Sequence, residues 1–583
     1  MRSRAERPNR RLTPVLLDLW ALVLATVLCA PMLVAGGYGL ARDLVFVPHH
    51  ALGADDIGLG SSLPRAVPLD AVLGLLGSVI DGAVVFRVAV LGVLVLAGCG
   101  AHRLLPTQPT AVRLFLAGAA VWNPYVVERL SLGQWALLAS YAASWWLIPV
   151  VRSCVSGRDR SAWGRLALWM ALASLTPSGG LVALLVATGT ALAATRRVRP
   201  VLSAVLVGAA FQLPWVLPSV LGTASGLSDP RGAAAFAARP ERAGGTLWSL
   251  LATGGIWDRH VVPGSLTGLG GHALSILCVL VLVVSVRAVG RLQPGLPVVA
   301  AIGLALAVAG AVPGLDGAMG WVVSHVPGGG LVRDGQKWLA PYVVLVVACG
   351  ADSLGRLGRW LRSQDRDAAW LAVVAALVLP VALLADGPRQ TWQVLAPVLY
   401  PADLTEAVGR LADAPSESGD VVTLPWQSYR LYRWGRPVSA SDPALRWSAR
   451  PALVSDSLRV DAGSLNGEDP RARRVGRIVT GAGPWGRPLA QQGVGWVLVY
   501  RDQPGASGLD LEGLRPVVEG RRVALYAVAG PVRTPPRASA AARTLVAVVD
   551  VGLLAAALVG AGVGLAGRRR RRQRHSSSSS PRQ

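Results

Sequence analysis

The chain has 583 residues, 52% of them hydrophobic and only 15% charged, with a mean hydropathy of +0.47. Soluble domains carry about a quarter charged residues, so an ordinary soluble enzyme is excluded. The net charge of +24 would suggest nucleic acid in a soluble protein, but here the arginines gather at the ends of apolar runs, where they act as topology signals; nucleic-acid binding is excluded with it.

Helical runs approaching 20 apolar residues mark membrane spans. A basic tail, 1–13, holds Arg2, Arg4, Arg7, Arg10 and Arg11 and precedes a first span at 16–35. Pro31 and Gly36-Gly37 make a poor cleavage site, so this span is expected to be retained with the N-terminus inside. Further runs lie at 82–101, 111–125, 136–151, 201–221, 272–289, 297–312, 338–350, 368–385 and 545–565. Two shorter runs, 166–175 and 181–194, are split by Thr176-Pro177-Ser178-Gly179-Gly180 and read as two tight spans or one re-entrant pair. Arg103, Arg152, Arg158, Arg165, Arg196, Arg287, Arg356, Arg366 and Arg568 to Arg572 all fall on one side of this count. It predicts a polytopic α-helical membrane protein of about 12 spans in a plasma membrane, with both termini cytoplasmic. Arg87 falls inside the second span, and the count does not account for it. The five cysteines, Cys29, Cys99, Cys154, Cys278 and Cys349, lie in or beside apolar runs without Cys-x-x-Cys spacing and read as packing residues.

Between the multi-spanning core, 14–386, and a final transmembrane helix, 541–567, the segment 387–540 is polar. It has a helical pattern at 401–411, with Asp403 as N-cap and Glu406 three residues on, and β-rich runs at 420–426, 494–500 and 521–528. The expectation is a small extracytoplasmic α/β domain tethered at both ends. The Arg/Ser-rich tail, 568–583, with its Ser576–Ser580 run, reads as low-complexity.

Chemical groups concentrate on the expected outer side. The first loop carries Arg42-Asp43, and a carboxylate at the mouth of a bundle suits a general base toward a hydroxyl; the bland alternative is an Asp43–Arg42 pair. His49-His50 with Asp55-Asp56 leaves a divalent cation open as a cofactor, although adjacent loop histidines seldom converge on one centre, and no metal ligand is assigned. A second loop brings Asn123, Glu128, Arg129 and Gln134 together between two spans, and polar groups at that depth tend to face a cavity. A third places Arg333-Asp334-Gly335-Gln336-Lys337 after Gly328-Gly329-Gly330. Lys337 is the single lysine of the chain. Cations there oppose the positive-inside trend and suit a phosphate; the alternative is an Arg333–Asp334 surface pair.

The settings Asp43-Leu44-Val45-Phe46-Val47-Pro48, Asn123-Pro124-Tyr125-Val126-Val127-Glu128-Arg129-Leu130 with Gly133-Gln134-Trp135, and Leu331-Val332-Arg333-Asp334-Gly335-Gln336-Lys337-Trp338 resemble actinobacterial multi-spanning proteins of the GT-C glycosyltransferase superfamily. The nearest likeness is the membrane part of arabinofuranosyltransferases, and it covers residues 14–385 loosely. The polar domain is similar to extracytoplasmic domains attached to such cores, through Val421 to Trp426 and Gly493 to Val499. The resemblance implies a GT-C-like core that moves a sugar from a polyprenyl-phosphate donor to a cell-envelope glycan acceptor on the outer side. Asp43 would be the catalytic carboxylate, Glu128 a second acid, and Arg333, Lys337 and Arg129 the donor-phosphate contacts. No Asp-x-Asp stands at Asp43, and the long carbohydrate-binding extension of the largest relatives is expected to be missing. A non-enzymatic envelope transporter or assembly scaffold with a degenerate core is the second reading. No inverted repeat favours a transporter.

Overall fold

A computed structural model describes residues 12–577, apart from 62, 64–65, 158, 223–225, 365–368, 416–417, 461–462 and 536–537. The basic tail through Arg11, the flanking Arg158 and Arg366, and most of the Ser576–Ser580 run lie outside the described residues.

Among the described residues, six helices are long and apolar enough to cross a membrane: Thr13–Val34, Gly82–Leu104, Pro177–Ala194, Leu269–Leu292, Gly335–Gln364 and Ala540–Gly562. Two bent pairs, Val198–Ala210 with Leu213–Leu221 (55°) and Trp370–Ala382 with Gly387–Leu395 (53°), raise the number to eight if each is one span. Local chemistry explains where apolar runs fail to give one long helix. The 111–125 run breaks after Thr110–Val121 because Asn123 caps a new helix, Pro124–Ser131, accepting from the Val126 N–H at 3.0 Å with Pro124 in its first turn; Asn before Pro is a strong helix start. Thr176 does the same for Pro177–Ala194, accepting from the Gly179 N–H at 3.1 Å. The expected 136–151 run becomes Trp135–Ser156, which is buried on nearly every side, as a helix apolar all round must be. It packs against Gly82–Leu104, Ser161–Ala173 and Pro177–Ala194 at the centre of the bundle. The terminal helix Ala540–Ser577 crosses Ser161–Ala173 at Gly164 and Gly560. A Cβ on Gly560 would lie 2.1 Å from the Gly164 carbonyl oxygen, so small residues set this approach.

Arg87 acquires a purpose here. Its guanidinium donates to the carbonyls of Ala35 and Ala83, both at 2.6 Å, and so satisfies backbone at the end of the first helix, where carbonyls otherwise lack partners.

The polar segment forms a five-stranded sheet in the order Leu514–Glu519, Val523–Val528, Val494–Tyr500, Asp420–Leu424, Ala452–Leu453. The first two pairings are antiparallel and the last two parallel. Alternation decides its faces. Trp496, Leu498 and Tyr500 pack with Leu404, Ala407 and Leu411 of helix Ala402–Asp413. Val497 and Val499 pack with Val475 of helix Pro470–Val479 and with Leu489. The result is a three-layer α/β/α unit. Asp403 differs from expectation: it lies inside the first turn of its helix, and its Oδ2 accepts from the N–H groups of Arg522 and Val523 at 2.8 and 3.0 Å. Its Oδ1 meanwhile accepts from the Leu404 N–H of its own helix at 3.0 Å, so the one carboxylate serves both the helix end and the strand turn. Glu406 pairs loosely with Arg410 at 3.7 Å. Helix Gly387–Leu395 packs on the bundle helices Leu12–Val34 and Pro124–Ser131, so the packing of the sheet unit begins near Val398.

The first loop joins the two bodies. Its short strands Leu40–Ala41 and Leu44–Val45 form a hairpin whose side chains alternate. Ala41, Leu44 and Phe46 enter the bundle core, while Leu40, Val45 and Val47 enter the core of the sheet unit. The Arg42 N–H donates to the Ser439 carbonyl at 2.7 Å, the Arg42 carbonyl accepts from the Ser441 N–H at 3.0 Å, and backbone bonds between Tyr38 and Val398 (2.9 Å) complete the fastening.

Candidate functional site

The site is built at the tip of that hairpin. Arg42 turns the chain with φ +52°, which presents Asp43 to solvent. The neighbouring 130s turn comes close only because residue 133 is glycine. Gly133 has φ +78°, and a Cβ there would lie 2.4 Å from the Leu44 nitrogen. Tyr429, from the sheet unit, donates to Asp43 Oδ1 at 2.5 Å, and Gln134 Nε2 donates to Oδ2 at 3.0 Å. The anticipated Asp43–Arg42 pair does not form. The turn sends Arg42 the other way, onto Asp258 at 2.6 Å.

Gln134 carries the network inward. Its Oε1 accepts from Arg129 Nη1 at 2.7 Å, and Arg129 grips both oxygens of Asp334 at 2.7 and 2.8 Å. Arg129 and Asp334 are 0% and 5% exposed. Such a pair is retained only when its geometry is good, because two desolvated charges cost several kcal/mol each (roughly) before they attract. Lys337 Nζ stands 3.8 Å from Asp334 Oδ2 and keeps a quarter of its side chain exposed. The three sequence segments singled out above thus meet in one line: Tyr429, Asp43, Gln134, Arg129, Asp334, Lys337.

Three expected roles meet a different environment. Arg129 is buried with both terminal nitrogens engaged, so it holds Asp334 rather than facing a ligand. The Arg333–Asp334 pair is absent, since Asp334 turns inward to Arg129. Arg333 instead pairs with Glu468 of the sheet unit at 3.0 Å and lies over the Phe236 ring at 4.9 Å. Glu128 is fully buried and accepts from Gln336 Nε2 at 2.6 Å; its other oxygen accepts no hydrogen bond. Burial, and next the charge of nearby Glu241, push the Glu128 carboxyl well above the usual carboxylate range. Burial likewise raises Glu241, although Arg242 stands 3.2 Å from it. Both carboxyls are thus shifted toward their protonated forms, and Glu128 anchors the Gln336 turn.

His50 bonds Asp56 at 2.9 Å, while His49 is exposed. Among the described residues no group of three or more His, Cys, Asp or Glu is placed to hold a metal ion. Tyr429, Asp258, Glu241 and Glu468 were not foreseen. Each lies far along the chain from its partner, and no local motif marks such residues.

An apolar cavity of ≈ 230 Å³ lies between helices Thr110–Val121, Leu269–Leu292, Ala340–Gln364 and Ala369–Ala382. Trp122, Asn123 and Thr253 line it together with Leu274, Val281 and Leu354. Asn123 also caps the helix that carries Glu128 and Arg129.

The fold is similar to that of arabinofuranosyltransferase AftD from mycobacteria, seen by single-particle cryo-EM. The match covers 91% of this chain and 41% of that one, with 16% identity and a TM-score of 0.51. Two structures of a mutant of the same protein align over 91% and 90% of this chain and 42% of theirs, at 15% identity and TM-scores of 0.46 and 0.44. The chain spans less than half the length of the protein it resembles, and at this identity the likeness is one of fold. No protein-family model and no curated protein sequence matches the chain.

Proposed function

We propose that this chain is a membrane glycosyltransferase that moves a sugar from a polyprenyl-phosphate donor to a cell-envelope glycan. The observation that carries the reading is the single polar line that ends in an exposed carboxylate, Asp43, on one side and a partly exposed ammonium, Lys337, on the other. Displacement of a sugar from a phosphate needs those two functions. Asp43, oriented by Tyr429 and Gln134, takes the proton from an acceptor hydroxyl. That oxygen attacks the anomeric carbon, the bond from carbon to phosphate oxygen breaks, and the phosphate leaves with the electron pair. Lys337 meets the growing negative charge, with Arg333 a second cation at the rim. Arg129, Asp334 and Glu128 are positioning residues beneath. The apolar cavity beside Asn123 suits the hydrocarbon chain of the donor.

In this reading the bundle crosses a plasma membrane about twelve times, the shorter helices completing broken spans. Both termini are cytoplasmic, and the sheet unit and Asp43 are outside. Labelling of Ser418→Cys and Ser576→Cys in intact cells, with native cysteines removed, tests the sidedness. Labelling of Ser418→Cys only after permeabilisation reverses it. The chemistry is tested by Asp43→Asn, which is nearly isosteric and removes the proton acceptor. Transfer at the wild-type rate in that variant would remove Asp43 from the mechanism, and no transfer by the wild-type chain itself would remove the enzyme reading and leave a transporter or scaffold.

A further inference from the structure

A second cavity, of ≈ 590 Å³, lies in the sheet unit and plays no part in the site above. It opens where the parallel strands Asp420–Leu424 and Ala452–Leu453 end, between Trp426 just past the first and Ser455, Asp456 and Ser457 just past the second. The crevice outside the carboxyl ends of parallel strands is where open α/β sheets take their ligands. Helix Pro470–Val479 forms the far wall and presents Arg473, Arg474 and Arg477 to the cavity.

The charge of this wall is unbalanced. Arg473 and Arg477 are exposed one turn apart, and like charges at that spacing oppose the helix. Arg473 and Arg474 also stand near the N-terminal end, where the helix dipole disfavours cations. The nearby Arg471 is neutralised by Asp420 at 2.6 Å, and Arg474 rests on the Gln492 side chain at 3.1 Å. No ion pair to Arg473 or Arg477 is present among the described residues. Among the described residues the carboxylate lining the cavity is Asp456, which already accepts from the Asp469 N–H at 2.7 Å. Trp426 adds an aromatic surface. It lies so close over the helix that a Cβ on Gly476 would come within 2.5 Å of its Nε1.

We propose that this cavity binds a stretch of glycan that carries negative charge, with Trp426 against a sugar face and Arg473 and Arg477 on a phosphate or carboxylate substituent. The wall runs into the candidate site within one residue. Asn466 and Gly467 line the cavity, and Glu468 is the partner of Arg333. Resting on the glycosyltransferase reading, the cavity holds the acceptor chain while its end reaches Asp43.

The test uses the full chain in lipid nanodiscs and two probes, a neutral arabinofuranose hexasaccharide and its terminal phosphate monoester, with inorganic phosphate as a third arm. The phosphorylated probe is expected to bind roughly tenfold more tightly than the neutral one, since a charge-assisted contact is about twice as strong as a neutral one. Arg477→Gln, at an exposed position, should erase that preference and leave the neutral probe unaffected. Trp426→Ala should weaken both probes, and inorganic phosphate at equal concentration should not compete. Equal affinity of the wild type for both probes, unchanged binding in Arg477→Gln, or full competition by inorganic phosphate would overturn the proposal. Asp43→Asn separates the two readings. Glycan binding retained with transfer abolished supports both. Transfer abolished in Asp43→Asn while Arg477→Gln binds both probes as the wild type does removes the cavity proposal alone. No transfer by the wild type with its charge preference present removes only the glycosyltransferase reading.

Discussion

The two most deeply buried arginine–aspartate pairs among the described residues lie one in each body of the molecule, and they serve different ends. In the sheet unit, Arg430 bonds Asp442 at 2.5 Å and also donates to Thr423 Oγ1 and the Pro425 carbonyl at 2.9 Å. Tyr500 donates to the same aspartate at 2.6 Å, and its ring lies 4.8 Å from the guanidinium. Every one of these contacts turns back into the domain, so the pair ties strands and loops to each other. In the bundle, Arg129 and Asp334 form a bidentate pair of similar burial, but Gln134 leads from it to an exposed carboxylate and Lys337 leads from it toward solvent. A buried ion pair adds little net stability by itself. What distinguishes the bundle pair is that its arms reach the surface.

The comparison breaks most sharply at Asp43. A positioned general base contributes about 10²–10⁴-fold in rate, so Asp43→Asn should lose two orders of magnitude or more in transfer while thermal stability stays near wild type; an assay of purified protein with lipid-linked donor reads both. The two buried pairs come next. Asp334→Asn and Asp442→Asn each leave a guanidinium buried without its counter-charge, at a cost of roughly 3–5 kcal/mol. The variants should then part company. The folded fraction of Asp442→Asn keeps its specific activity, whereas that of Asp334→Asn loses transfer, because Gln134 and Lys337 lose their support. Equal specific activities in the two would show that the bundle pair is as self-contained as the other.

The parts of this architecture that rest on local pattern were legible in the sequence. The β-rich run at 494–500 predicted the strand observed, and the Asn123-Pro124 and Thr176-Pro177 pairs mark real breaks. Arg87 and Asp403 were misjudged or left open for one reason: each serves backbone groups of a distant segment, which no window along the chain contains. The site divides the same way. Asp43, Glu128, Arg129, Arg333 and Lys337 stood out by residue type and surroundings. Which of them face solvent depends on partners such as Asp258, Glu241, Glu468 and Tyr429, supplied from elsewhere in the fold. Arg129 and Lys337 look equivalent in sequence, yet Asp334 and Gln134 occupy the first and leave the second partly free.

That last contrast sets a smaller effect. A charged contact to phosphate is worth about 1.5–3 kcal/mol, and Asp334 competes for the same ammonium, so Lys337→Gln should weaken binding of a polyprenyl-phosphate analogue by about tenfold, near the lower end of that range. Arg333→Gln should do less, because Glu468 already holds its guanidinium. Titration of the analogue into both variants in detergent gives the ranking. A larger loss at Arg333 would move the donor phosphate toward the Phe236 side of the site.

The smallest effect expected is one of pH, and it distinguishes the two buried acids from the ion pairs above them. Glu128 and Glu241 are both raised, by burial first and for Glu128 next by the charge of Glu241. The folded chain therefore holds protons that the unfolded chain would release at its ordinary value of about 4.3. Stability from this source is complete below that value and is lost as pH rises through the folded one, at about 1.4 kcal/mol for each unit of difference. The melting temperature of the wild type in detergent should fall as pH is raised from roughly 5 to 9. Glu241→Gln puts a neutral amide beside Glu128, removes one of the two charges that form at high pH, and should flatten the fall. Asp442→Asn should leave the slope as it is, since its partner Arg430 keeps its charge throughout. An unchanged slope in Glu241→Gln would mean that the charge of Glu241 does not act on Glu128.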